Sequence, residues 1–122
     1  MKLRIKGNSL RIRLTRSEVA EFGRSGHLEE KTEFGNNAFA YALQNEQGIS
    51  GLRADFAGNK ITVYVPSEIT REWTTTEKVG FENNMDIGGK QLFILIEKDF
   101  KCIDNTTEDQ SDNYEHPSPV CN

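Results

Sequence analysis

Lys2, Arg4, Lys6, Arg11, Arg13 and Arg16 crowd residues 1–16, which hold no acidic residue. Basic side chains at that density suit the neutralisation of an anion, such as a phosphate backbone, with release of its condensed counterions. Between them Leu3 and Ile5, then Leu10, Ile12 and Leu14, recur at every second position around Gly7-Asn8. Side chains alternate across a strand, so Lys6 and Arg11 fall on the face opposite this apolar set. The other end has the reverse balance: residues 104–116 hold Asp104, Glu108, Asp109, Asp112 and Glu115 with no Lys or Arg. Such asymmetry implies a basic contact surface and an acidic tail; the plainer reading is a solvated strand face with a solubilising tail.

Other constellations carry less chemistry. Asp104, Glu108, Asp112 and Glu115 have usable spacings for a calcium loop, but Asp109 stands where the sharp turn demands Gly. Low hydrophobicity and high negative charge predict disorder for residues 101–122 instead. Cys102, His116 and Cys121 offer three zinc ligands without a CxxC pair to anchor them. A Cys102–Cys121 disulfide is open, yet without a secretory signal two free thiols are expected. Asn105-Thr106-Thr107 matches a glycosylation sequon only formally. His27 reads as a solvated loop residue in the turn after a helix, and Glu29, Glu30 and Glu33 as an exposed face. Gly88-Gly89 reads as a hairpin turn, not a phosphate loop, and no motif supplies a base to a Ser or Cys nucleophile. The expectation is a non-enzymatic chain without catalytic residues, metal or cofactor.

The elements that must position these residues follow from length and pattern. A chain of 122 residues fits one domain, and 35% apolar residues with seven Phe, three Tyr and one Trp can build a thin core. No stretch approaches the roughly 18 apolar residues of a membrane span. MKLRIKGNSL lacks the following apolar run of a secretory signal. A cytoplasmic, non-membrane protein is therefore expected. The net charge of −4 argues against a generic polyanion binder, so any anion contact must come from local clustering.

Self-similarity organises the chain. KGNSLRIRLTRSEV (6–19) sets beside AGNKITVYVPSEI (57–69): Gly7-Asn8 meets Gly58-Asn59, and Leu10, Ile12 and Leu14 meet Ile61, Val63 and Val65. With one residue deleted, Ser17-Glu18-Val19 meets Ser67-Glu68-Ile69. Leu3-Arg4 meets Leu52-Arg53 with slippage, His27-Leu28 meets Lys78-Val79, and FAYAL (39–43) meets LFILI (92–96).

Each copy predicts hairpin, helix, hairpin. Strands at 2–6 and 9–14 flank a Gly7-Asn8 turn of positive-φ residues. Thr15-Arg16-Ser17-Glu18 is a capping box, Val19 and Phe22 share one helical face, and Gly23 or Gly26 can end the helix. Strands near 27–34 and 37–43 follow around Gly35-Asn36-Asn37, then a polar linker at Asn45–Ser50. The second copy predicts strands near 52–56 and 60–65, and a helix opened by Pro66-Ser67 carrying Ile69 and Trp73 inward. Strands near 78–82 and 91–97 close it. One unit of this size buries too little apolar surface alone, whereas two can form an internal pseudo-dimer. The expected fold is thus mostly β with two short helices (α+β): two tandem ββαββ units, about 1–44 and 51–98, in a domain of residues 1–100 with the tail at 101–122.

Lys6-Gly7-Asn8-Ser9-Leu10-Arg11-Ile12-Arg13-Leu14 before a short capped helix resembles the swapped-hairpin family of AbrB-type regulators and MazE-type antitoxins. Val65-Pro66-Ser67-Glu68-Ile69 matches the family's strand-Pro-helix junction, and the resemblance covers about residues 2–97. It implies a single-chain equivalent of a dimer that exchanges hairpins and presents basic residues to DNA. Arg4, Asn8, Ser9 and Arg13 fall where such proteins place contacts, and Lys6 and Arg11 share their outward face. The sequence departs from the pattern where Thr15 replaces Pro. It departs further where Thr62, Tyr64 and Asp55 stand at the positions of Arg11, Arg13 and, nearly, Lys6. Residues 51–66 carry Arg53 and Lys60 against Asp55, a net of +1, where residues 1–16 carry +6. The whole chain also resembles a group of short bacterial proteins with an EKDF-x-C ending and an acidic tail. A regulatory module contacting DNA through Arg4, Lys6, Asn8, Ser9, Arg11 and Arg13 is the leading expectation. The alternative is a protein-interaction scaffold that has lost DNA binding and grips a basic partner protein through its acidic tail or second copy.

Overall fold

The computed structural model describes residues 1–100 together with Asp112 and Tyr114. Eight strands and two helices follow in the order β1 (Lys2–Lys6), β2 (Ser9–Leu14), α1 (Arg16–Ser25), β3 (His27–Glu33), β4 (Ala38–Glu46), β5 (Arg53–Ala57), β6 (Lys60–Pro66), α2 (Ser67–Thr75), β7 (Gly80–Asp86) and β8 (Gln91–Lys98). The fold is mostly β with two short helices, built from two tandem ββαββ units. The acidic-tail, calcium, zinc and disulfide readings fall on residues outside the described ones, apart from Asp112 and Tyr114.

Hairpins are exchanged between the copies. One sheet runs β1-β2-β8-β7 and the other β3-β4-β6-β5, so each joins a hairpin of one copy to a hairpin of the other. The joins are parallel, β2 to β8 and β4 to β6, and the helices carry the chain from one sheet to the other, α1 between β2 and β3 and α2 between β6 and β7. Each copy therefore completes a sheet with the other's strands, the arrangement expected of a single-chain pseudo-dimer.

The registers correct the sequence alignment. Lys2↔Arg13 becomes Arg53↔Tyr64, a shift of 51, and the same shift carries Val19 and Phe22 onto the buried Thr70 and Trp73. No residue is deleted before α2, because Pro66 takes the N-cap place of Thr15. Thr70, not Ile69, consequently points inward with Trp73, and Ile69 is left half-buried at the core's margin. His27↔Gln44 becomes Gly80↔Glu97, a shift of 53, which upholds the FAYAL–LFILI match. His27-Leu28 meets Gly80-Phe81 rather than Lys78-Val79, and His27 opens β3 instead of lying in the preceding turn. Strand β7 begins and ends later than expected. Its polar run Glu82-Asn83-Asn84 has weak strand preference, and pairing with the apolar β8 decides its extent.

Local signals held at α1. Thr15 N–H donates to Glu18 Oε1 at 2.9 Å, and Gly26 ends the helix at φ +74, its N–H bonded to Phe22 O at 2.8 Å. Only Gly7 takes positive φ in the first turn, whereas both Gly58 and Asn59 do in the second. Leu10, Ile12, Leu14, Ile94 and Ile96 of one sheet meet Leu43, Val63 and Val65 of the other across Val19, Phe22 and Trp73. Phe22 and Trp73, pseudo-symmetry mates, stack edge to face at 6.3 Å, and the buried indole N–H donates to Val79 O at 2.9 Å.

Candidate nucleic-acid interface

Directly paired residues point to the same side of a sheet. The outward face of β1-β2-β8-β7 therefore carries Lys2 opposite Arg13, Arg4 opposite Arg11 and Lys6 opposite Ser9. Strand β8 sets Phe93, Leu95 and Glu97 beside Ser9, Arg11 and Arg13, and β7 adds Glu82, Asn84 and Asp86 beyond them. The face is basic along its β1-β2 half, acidic along β7, and apolar at the half-buried Phe93 and Leu95 between.

The six expected contacts separate by what they already hold. Arg4 and Lys6 are exposed and make no ion pair among the described residues. Arg13 Nε donates to Glu97 Oε1 at 2.7 Å, and Arg11 Nε lies 3.4 Å from the same oxygen. Asn8 Nδ2 is taken by Gln91 O at 2.7 Å, pinning the turn to β8, and Ser9 Oγ by Lys6 O at 2.6 Å. Arg4 and Arg11 face one another across β1 and β2, and the one carboxylate near Arg11 is shared with Arg13, an arrangement that self-repels until an anion is added. Lys2 belongs on the same face, 3.1 Å from the buried Asp99.

Arg4, Lys6, Ser9, Leu10, Arg11, Phe93 and Leu95 line a groove of about 200 Å³ at this surface. Phe93, Leu95 and Glu97 escaped sequence reasoning. The alternation of Phe93 and Leu95 against the buried Ile94 and Ile96 was available, but the β2–β8 pairing that sets them among arginines is non-local.

The matching face of the second sheet has lost this chemistry. Asp55 occupies Arg4's place, not Lys6's, and Ala57 stands for Lys6. Thr62 and Tyr64 stand for Arg11 and Arg13, and Ala40 and Ala42 for Phe93 and Leu95. Two of its remaining cations are locally matched. Arg53 pairs with Glu46 at 2.9 Å and lies over the Tyr64 ring, and Lys60 reaches Glu29 at 3.2 Å. The hydrogen bond from Lys60 holds the Glu29 carboxyl below its ordinary range.

At the opposite end of the sheet, Asp112 and Tyr114 of the tail lie on the domain. Arg16 N–H donates to Asp112 O at 2.9 Å and Ser17 N–H to Asp112 Oδ1 at 3.2 Å, adding a carboxylate to the α1 N-terminus. The Ser17 hydroxyl also donates to Asp112 Oδ2 at 2.5 Å, and this bond is the chief reason the Asp112 carboxyl stays below its ordinary range. Arg16 and Lys98 both lie over the Tyr114 ring.

Residues 1–118 match the model of a family of unknown function, DUF7009. The chain belongs to that family. No curated protein and no solved structure matches this DUF7009 chain. Among the described residues no helix is long and apolar enough to cross a membrane.

Proposed function

We propose that this chain is a non-enzymatic, nucleic-acid-binding regulatory module whose contact surface is the outward face of β1 and β2. The observation that carries the reading is the cross-strand set Lys2, Arg4, Lys6, Arg11 and Arg13, with Glu97 shared by two of its arginines. Like charges placed opposite one another cost stability, and phosphate oxygens are the ligand that would relieve that cost. The exchanged hairpins and the resemblance to AbrB-type and MazE-type proteins support the same reading. With one sheet charged and its mate depleted, the contact is one-sided, not two-fold. The alternative is a scaffold that grips a basic protein through its acidic tail or second copy. The tail falls mostly outside the described residues, with Asp112 and Tyr114 engaged at α1, and Glu46 and Glu29 of the second sheet are taken by the second copy's Arg53 and Lys60.

The test is fluorescence anisotropy with a labelled random duplex, titrated at about 50 and 200 mM salt. Roughly four neutralised phosphates give a log–log salt slope of about −3.6. Arg4→Ala/Lys6→Ala should flatten that slope by about 2. Binding that ignores both salt and the substitutions would sink the proposal.

A further inference from the structure

Charge alone does not account for this face, because an aromatic ring sits in the middle of it. We infer that the groove takes single-stranded nucleic acid, with a base stacked on Phe93 and the adjoining phosphates held by Arg4, Lys6 and Arg11. This rests on the nucleic-acid reading of the same face and specifies the form of polynucleotide that fits it.

Three observations lead there. The first is composition: Phe93 is half-buried on the outward side, flanked by Ser9 on β2 and Asn84 on β7, short polar residues that leave room over the ring. A sheet face with an aromatic platform beside basic residues is how unpaired bases are held, by stacking and backbone neutralisation together. The second is that the ring in the middle of the face and the cations beside it are absent together from the equivalent positions of the mate sheet, whose Tyr64 stands instead at the place of Arg13, under Arg53. Where Phe93 and Leu95 become Ala40 and Ala42, Arg4, Lys6 and Arg11 become Asp55, Ala57 and Thr62. Two unrelated properties present together on one sheet and absent together at the equivalent positions of the other point to one ligand that uses both.

The third is shape. Four strands spaced about 4.8 Å apart span roughly 14 Å before side chains are added, wider than the roughly 12 Å major groove of B-form DNA. A face of this width rests on a duplex only at its phosphate ridges, leaving Phe93 without a base to touch. A single strand can lay its backbone along β1-β2 and turn a base inward, while Glu82, Asp86 and Glu97 keep phosphates off the β7 side. The groove, about 200 Å³, is small beside pockets for drug-sized ligands and suits one base.

The experiment compares anisotropy of labelled oligodeoxyuridylate and oligouridylate of about 16 nucleotides with a duplex of the same length, at one low salt concentration. Wild type is expected to bind single strands at least about tenfold more tightly than duplex. Phe93→Ala should lose about tenfold on single strands and almost nothing on duplex, and Phe93→Trp, which keeps a π-face, should retain the preference. Circular dichroism of the variants separates lost stacking from lost fold. Binding of either oligonucleotide with this dependence on Phe93 upholds the inference, and a preference between them names the sugar. Equal, salt-sensitive binding of single strands and duplex, indifferent to Phe93, overturns it while leaving the nucleic-acid reading standing. No binding to any of the three probes removes both.

Discussion

Glu97 shows how one side chain can set the strength of a charged surface. Its carboxylate accepts from Arg13 and lies close to Arg11, so both arginines are partly neutralised before any ligand arrives, as Lys2 is by Asp99. Glu97→Gln should therefore raise affinity for a polyanion several-fold and steepen its salt slope by about 1 to 2, as both arginines become available to phosphates. An unchanged slope in the anisotropy titration would mean that neither arginine reaches the ligand. Lys98, on the inward side of the same strand, has a different consequence. Burial pushes its amine below the ordinary lysine range, although Nζ donates to Thr76 O at 2.7 Å. Between the lowered folded-state pKa and the ordinary value, the unfolded chain holds the proton more tightly than the folded one. Stability contributed at this site thus rises with pH across that window and levels off above it. Urea unfolding of wild type against Lys98→Met, from pH 8 to 10.5, should show the difference shifting in favour of wild type as pH rises. A difference that stays constant would place the amine in water.

At the scale of elements, what was legible in the sequence was local. The Thr15–Glu18 box, the Gly26 terminus and the alternation of Leu10, Ile12 and Leu14 each concern residues within a turn or a strand, and each is present. What was not legible depended on partners distant in sequence. Strand β7 carries Glu82-Asn83-Asn84, a poor strand by composition, and is held by β8. Ile69 looked inward because its apolar character outweighed the register that places Thr70 there. The outward arginines could be read from alternation, but not the Phe93, Leu95 and Glu97 that a parallel join sets beside them. Gly80 marks how closely β7 and β8 approach: a Cβ added there would run into the carbonyl oxygen of Ile96. Gly80→Ala should cost about 1–3 kcal/mol, since the strand backbone must shift to admit one methyl. Thermal unfolding measures this, and a variant as stable as wild type would show that β7 moves aside freely.

For the whole molecule, exchanged hairpins make the two copies interdependent. Residues 1–46 contain β1-β2 and β3-β4, which lie in different sheets and have no hydrogen-bonded strand neighbour within their own copy beyond each hairpin. An isolated two-stranded hairpin is marginal in water, and the edge-to-face pair Phe22–Trp73 also takes one ring from each copy. Neither half should therefore hold its fold alone, while the exposed Gln47 and Gly48 connect the halves without entering either sheet. A protease site introduced after Gly48 is expected to give, on cleavage, two fragments that still elute together at the size of the intact chain. Their unfolding midpoint should become dependent on concentration, because a bimolecular association replaces the tethered one. Once separated in denaturant, each fragment should lack native circular dichroism until mixed with the other. A fragment that refolds alone as a monomer would contradict the exchange, because a monomeric copy would have to pair strands that the intact chain keeps in separate sheets.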